Sequence, residues 1–222
     1  GANELHGPIL RVFPRSCSGP VFGRLGVALT THHAGRWSIQ VHNEASMNSA
    51  SLLPDGLLFF ERGWLSSNNV LLMDERQGCL IDTGYWTHAP QTVALVEGTL
   101  GERSLTRILN THLHSDHCGG NAALQARYPS AHTAVPPGHA CHVFDWDPAA
   151  LTYTPTGQHC PPFRADDVIR PGEVLEFGHM LWEVHAAPGH DPHSVIFYCP
   201  EHGVLISADS LWENGFGVVF PE

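Results

Sequence analysis

Four side chains able to bind a metal ion lie within six consecutive residues of this chain: His112, His114, Asp116 and His117, in the run Thr111-His112-Leu113-His114-Ser115-Asp116-His117. In an extended segment, residues two apart point the same way, so His112 and His114 can grip one ion together. Asp116 and His117 follow at a turn that re-aims them past the first ion toward a second. Imidazole and carboxylate are the ligands of a catalytic zinc site, and the same donors accept iron or manganese. Gly119-Gly120 lets the backbone pass tightly from this ligand loop into a helix.

The elements that must position these residues are short strands punctuated by turns, with a few helices. Residues 57–60, 69–73 and 79–81 read as strands, the third after the turn signal Gln77-Gly78. Residues 90–100 read as a helix, with Val93, Val96 and Leu100 on one face and Pro90 in the first turn. A strand at 105–109 runs straight into the histidine run, followed by a helix at 121–128 and a strand at 131–135. Residues 136–165 read as a long proline-rich loop, of the kind that covers or lines a binding site. Further strands are expected at 174–177, 181–185, 194–198 and 204–207. Strands interleaved with helices predict a layered α/β protein.

Composition narrows the function. The formal net charge is −11, and all eleven basic residues are arginines spread thinly along the chain. That balance disfavours a phosphate-tracking nucleic-acid surface and binding to an anionic membrane, leaving a small molecule as the expected partner. The six cysteines are scattered without a C-x-x-C pair and read as free thiols of a reducing compartment, hence a cytoplasmic protein. No stretch approaches the roughly 18 apolar residues of a membrane span. The other histidines read more blandly. His139, His142 and His159 are expected to be solvated loop residues, and His193 a hydrogen-bonding or substrate-facing one. Cys118 reads as a small packed residue. Residues 1–46 show no sustained period and precede the first methionine, Met47, so they read as a non-native or unstructured extension.

Thr111-His112-Leu113-His114-Ser115-Asp116-His117-Cys118-Gly119-Gly120 resembles the T-H-x-H-x-D-H-x-G-G signature of the metallo-β-lactamase superfamily, particularly its glyoxalase II-like members. Three further elements follow the family's order: Leu80-Ile81-Asp82-Thr83-Gly84, Ala187-Pro188-Gly189-His190 and Ile206-Ser207-Ala208-Asp209. The resemblance implies an αββα sandwich over residues 47–222. It assigns His112, His114 and His190 to a first metal and Asp116 and His117 to a second, with Asp209 bridging. Asp82 would orient a ligand histidine by hydrogen bond without coordinating. The implied cofactor is zinc, two ions in the complete protein, with iron or manganese as alternatives. The implied reaction is hydrolysis of a thioester, ester, lactone or amide by a metal-bound hydroxide, with Asp116 relaying a proton. The alternatives are a mononuclear non-haem iron sulfur dioxygenase-like oxidoreductase and an inactive metal-binding fragment. One departure stands out. The family's active two-metal members supply one more histidine beyond the bridging aspartate, whereas no histidine follows His202 here. The domain is therefore expected to be incomplete at its C-terminal side. The sequence leaves the oligomeric state unread.

Overall fold

The computed structural model describes residues 10–12, 26–31, 37–42, 53–63 and 66–211, the first three groups as backbone only. In chain order the strands begin with β1 (Leu10–Val12), β2 (Gly26–Thr31), β3 (Trp37–His42), β4 (Leu57–Phe60), β5 (Asn69–Met73) and β6 (Gln77–Ile81). Helix α1 (Ala89–Leu100), β7 (Ser104–Leu109), α2 (Ser115–Cys118), α3 (Asn121–Arg127) and β8 (His132–Val135) follow. Then come α4 (Ala140–Phe144), α5 (Tyr153–Thr156), β9 (Asp167–Val168), β10 (Val174–Phe177), β11 (Met180–Ala186), β12 (Val195–Cys199) and β13 (Val204–Ile206).

Two sheets face each other. One has six strands in the order β4-β5-β6-β7-β8-β9, antiparallel up to β6 and parallel from β6 to β9. The other has five antiparallel strands in the order β1-β13-β12-β11-β10, and β2 pairs with β3 as a separate hairpin. Between the sheets lies a core in which Val70, Leu72 and Ile81 meet Trp182, Val184, Phe197 and Ile206. Burying a side chain such as Phe197 contributes roughly 2–3 kcal/mol. The outer face of the six-stranded sheet packs on α1 and α3 through Leu71, Leu80, Ile108, Val96, Leu100 and Leu124.

Sequence pattern explains the difference between the sheets. The Val70-Leu71-Leu72 run of β5 is buried throughout because helices cover one face and the second sheet the other. In β11, buried Met180, Trp182 and Val184 alternate with exposed or half-buried Leu181, Glu183 and His185, as expected where one face is open. Among the described residues no helix covers that outer face. In α1 the buried stripe is Ala89, Thr92, Val96 and Leu100; Val93, expected on it, lies at its edge and is only partly buried.

Three strands fall within residues 1–46, a stretch that shows no sustained period in the sequence. β1 pairs with β13 from Leu10↔Ile206 to Val12↔Val204, and β2 with β3 over six pairs. The missed signal is the alternation in Trp37-Ser38-Ile39-Gln40-Val41-His42; β1, at three residues, is too short for any periodicity. The other residues of that stretch lie outside the described ones. Residues 136–165 are also no open cover. They fold into α4 and α5 around a third core, in which Val143, Leu151, Tyr153, Cys160 and Phe163 pack against Leu113 and Cys118.

Candidate metal centre

All the residues expected at the site come together at one rim of the sandwich, where β6, β7 and β13 end and β11 turns into β12. The parallel pair β6 and β7 delivers Asp82 and the Asn110–His117 stretch side by side, the position at which parallel sheets present ligands. Val195 N–H donates to Thr111 O at 2.9 Å, tying the second sheet to the ligand loop. His190 sits between β11 and β12, in a loop closed by Ala187 N–H donating to Ser194 O at 2.9 Å. Asp209 follows Ala208, whose φ of 43° is unusual for a residue with a side chain. Such strained backbone concentrates at functional sites. Asp82 is likewise left-handed, with φ 56°. The tight passage expected at Gly119-Gly120 is present. A Cβ on Gly119 would lie 2.5 Å from Trp86 N, and one on Gly120 would strike the Thr83 backbone.

The donor atoms form two overlapping groups, each with atoms within 4.8 Å of one another: His112, His114 and His190, and His112, His117 and Asp209. His114 Nδ1 lies 3.1 Å from His112 Nε2 and 2.9 Å from His190 Nε2. Asp209 Oδ2 lies between the groups, 3.1 Å from His190 Nε2, 3.4 Å from His117 Nε2 and 4.0 Å from His112 Nε2. Asp116 Oδ2 stands 3.8 Å from His117 Nε2, its side chain about one-third exposed.

Hydrogen bonds behind the donors set which nitrogen faces inward. Asp82 Oδ1 accepts from Thr111 N–H at 2.9 Å, and its Oδ2 from the Thr111 hydroxyl and from His117 Nδ1, both at 2.8 Å. His117 Nε2 is thereby turned inward, where it is buried and makes no well-directed hydrogen bond. The Thr111 hydroxyl, already donating to Asp82, accepts from His112 Nδ1 at 3.1 Å, leaving the His112 Nε2 lone pair free for the centre. Asp82 thus lies directly behind His117, and the Thr111 hydroxyl, which sequence reasoning passed over, lies behind His112. Asp191 was also missed. Its Oδ2 is 3.8 Å from the outward-facing Nε2 of His114, and its Oδ1 accepts from His193 N–H at 2.7 Å. Only its place directly after His190 could have signalled it.

Electrostatics follow the geometry. Burial and the neighbouring imidazoles hold His112 well below the usual histidine range, and burial and His190 lower His114, so both are neutral donors. Burial also acts to lower His117, but Asp209, Asp82 and Asp116 outweigh it and raise its proton affinity well above the ordinary value. Those imidazoles push Asp209 below the carboxylate range despite its burial. Inward-facing lone pairs about 3 Å apart repel unless a cation or a shared proton lies between them. Together with the orphaned His117 Nε2 and the all-His/Asp donor set, this fits a divalent metal ion. Among the described residues, the remaining histidines join neither donor group. His139 packs its ring on His193 at 4.8 Å, and exposed His159 meets Trp86 at 4.7 Å.

Comparison with known proteins agrees with this arrangement. Residues 62–221 match the metallo-beta-lactamase superfamily. Similar curated proteins include a hydroxyacylglutathione hydrolase of Synechococcus sp. (strain JA-3-3Ab), 32% identical over 148 residues, covering 61% of this chain and 51% of that protein. Another is the mitochondrial persulfide dioxygenase ETHE1 of Homo sapiens, 28% identical over 144 residues, covering 65% of this chain and 47% of that one. The chain spans about half the length of these relatives. Among solved structures, a metallo-beta-lactamase family protein from Thermus thermophilus has a TM-score of 0.62 at 26% identity, covering 76% of this chain and 64% of that one. The BLEG-1 B3 metallo-beta-lactamase has a TM-score of 0.61 at 24% identity, covering 73% and 76%, a likeness of fold. On its donor cluster, its sheet architecture and the match over most of its length, the chain belongs to the metallo-beta-lactamase superfamily.

Proposed function

We propose that this chain is a zinc-dependent hydrolase that cleaves a thioester, ester, lactone or amide of a small molecule at the His112–Asp209 centre. The observation carrying this reading is the convergence of donors from separate strand ends on one point, with the Asp209 carboxylate between the two groups. His112, His114 and His190 would hold one ion, Asp116 and His117 a second, and Asp209 would serve both. When bound, the metal supplies carbonyl polarisation and an activated water.

The chain's own residues do the rest. Asp82 and Thr111 fix the His117 and His112 tautomers. Asp116, the carboxylate most open to solvent in the cluster, is placed to take and return a proton. A net charge of −11 fits a small-molecule partner and opposes nucleic acid or an anionic membrane. The five described cysteines are free, which suits a cytoplasmic setting, and no helix among the described residues is long and apolar enough to cross a membrane.

A thioester is the first substrate to test, because several relatives are named hydroxyacylglutathione hydrolases. The zinc-loaded chain should hydrolyse a hydroxyacyl thioester of glutathione, and both chelation and His114→Ala should abolish that turnover. Failure on all four substrate classes by a zinc-loaded chain would reject the hydrolase reading. One observation favours a second reading. His112, His190 and Asp209 are two histidines and a carboxylate around one point, the set used by mononuclear non-haem iron. Bound iron and oxygen uptake with a glutathione persulfide would move the assignment there.

A further inference from the structure

The third core contains a polar knot that the proposed chemistry does not use. Tyr153, Cys118 and Cys160 are all buried, and they meet directly beneath the ligand loop. The Tyr153 hydroxyl donates to Leu113 O at 2.7 Å, and it lies 3.1 Å from Cys118 Sγ. The Cys118 thiol is 3.3 Å from His114 O and 3.6 Å from Leu113 O, and its sulfur is 3.9 Å from Cys160 Sγ. Leu113 lies between the two ligand histidines. Its carbonyl receives these side-chain donors and no backbone N–H among the described residues, whereas the His114 carbonyl also accepts the His117 and Cys118 N–H groups. The peptide separating His112 from His114 is therefore held by a side chain 40 residues further on.

We infer that Tyr153 is a positioning residue for the metal centre: its hydroxyl fixes the Leu113 carbonyl, and so the spread and aim of the His112 and His114 imidazoles. The inference rests on those histidines holding a metal. Burial keeps the Tyr153 phenol protonated, so it remains a donor to the Leu113 carbonyl. Left-handed Thr152, with φ 67°, turns the chain so that Tyr153 points inward, a conformation unusual for a β-branched residue. Segment 136–165 thus touches the ligand loop at the Leu113 carbonyl through this hydroxyl, beside the Ser115–Gln158 and Cys118–Cys160 contacts, and its folding is coupled to the order of the first donor group.

The test is cobalt(II) binding by the full chain, read by chelator competition and by the visible ligand-field spectrum, with the melting temperature of the metal-free protein beside it. Tyr153→Phe, which removes only the hydroxyl, is expected to weaken cobalt binding about 10-fold, the effect of losing a support behind a ligand, and to shift the spectrum. Val143→Ala, in the same core but away from the carbonyl, is expected to lower the melting temperature with affinity and spectrum unchanged. Wild-type affinity and spectrum in Tyr153→Phe would overturn the inference, as would equal effects of the two variants on cobalt binding. If Tyr153→Phe does not fold, Cys118→Ala gives the same reading at the other donor, and an unchanged spectrum there would likewise overturn it. A wild-type chain that takes up no cobalt would remove the metal site and this inference together. Wild-type loading with an unaltered Tyr153→Phe would remove only the inference.

Discussion

The two halves of the donor cluster are held in different ways. His117 is fully buried, its Nδ1 bonded at 2.8 Å to a carboxylate that also grips Thr111 twice. Its backbone carbonyl accepts from Thr83 N–H at 2.8 Å and from the Asn110 side chain at 3.1 Å. His114 and His190 sit at the rim, only partly buried, and the carboxylate nearest the back of His114 is 3.8 Å away, beyond hydrogen-bond length. One half is built into the fold and carries excess negative charge; the other consists of imidazoles at the rim that are more open to solvent. Two ions bound here should therefore differ in what they gain from the protein: charge neutralisation in the Asp82 half, and a full imidazole set in the His114 half.

The largest expected effect is at Asp82. Asp82→Ala removes the acceptor of three buried hydrogen bonds and should cost the metal-free protein about 3 kcal/mol in urea unfolding, together with a roughly 10- to 100-fold loss of metal affinity. Asp191→Ala should cost only about 1 kcal/mol and weaken metal binding by less than about 10-fold. Equal costs for the two would erase the difference between the halves.

Acidity separates them next. The three carboxylates hold the His117 proton above the ordinary histidine value. In the metal-free chain that raised affinity contributes stability which is fully present below about pH 6.5 and is lost as pH rises through the higher folded value. Metal must displace this second ring proton, whereas His112 and His114, their affinities lowered, carry only one at neutral pH. Zinc added to the metal-free chain near pH 7 should release about one proton from the His117 half, and Asp82→Asn should reduce that release. Proton release that is unaffected by Asp82→Asn would count against the assignment. The smallest effect is expected at the rim. Trp86→Ala, removing the ring stacked edge-on to His159, should change KM by a few-fold and leave kcat and metal content unaltered. A matching fall in kcat would draw Trp86 into the centre itself.

What sequence could carry is clearest at His112, His114, Asp116 and His117, where adjacency made the cluster visible before any fold was known. The motif order also pointed to Asp82, His190 and Asp209, although they arrive from three other chain segments. The supports were harder to read: Thr111 and Asp191 only adjoin ligand histidines in sequence, and Tyr153 left no mark at all. Each is an ordinary residue type whose contacts show only in the folded chain, 40 residues along it in the case of Tyr153. Strand positions from Leu57 onward followed hydrophobic pattern, and β10 begins and ends where expected. The two-residue β9 escaped because no periodicity fits so short a segment. The third core was hidden because Val143, Leu151, Tyr153 and Phe163 share no regular spacing; they converge only once α4 and α5 fold onto the ligand loop.

The most direct test of the central claim is the zinc content of the purified chain by elemental analysis, run beside His114→Ala and Asp82→Ala. The account predicts about two zinc ions per wild-type chain, with one lost preferentially in each variant. Wild-type protein that retains no metal after loading and desalting, alongside variants indistinguishable from it, would contradict the account.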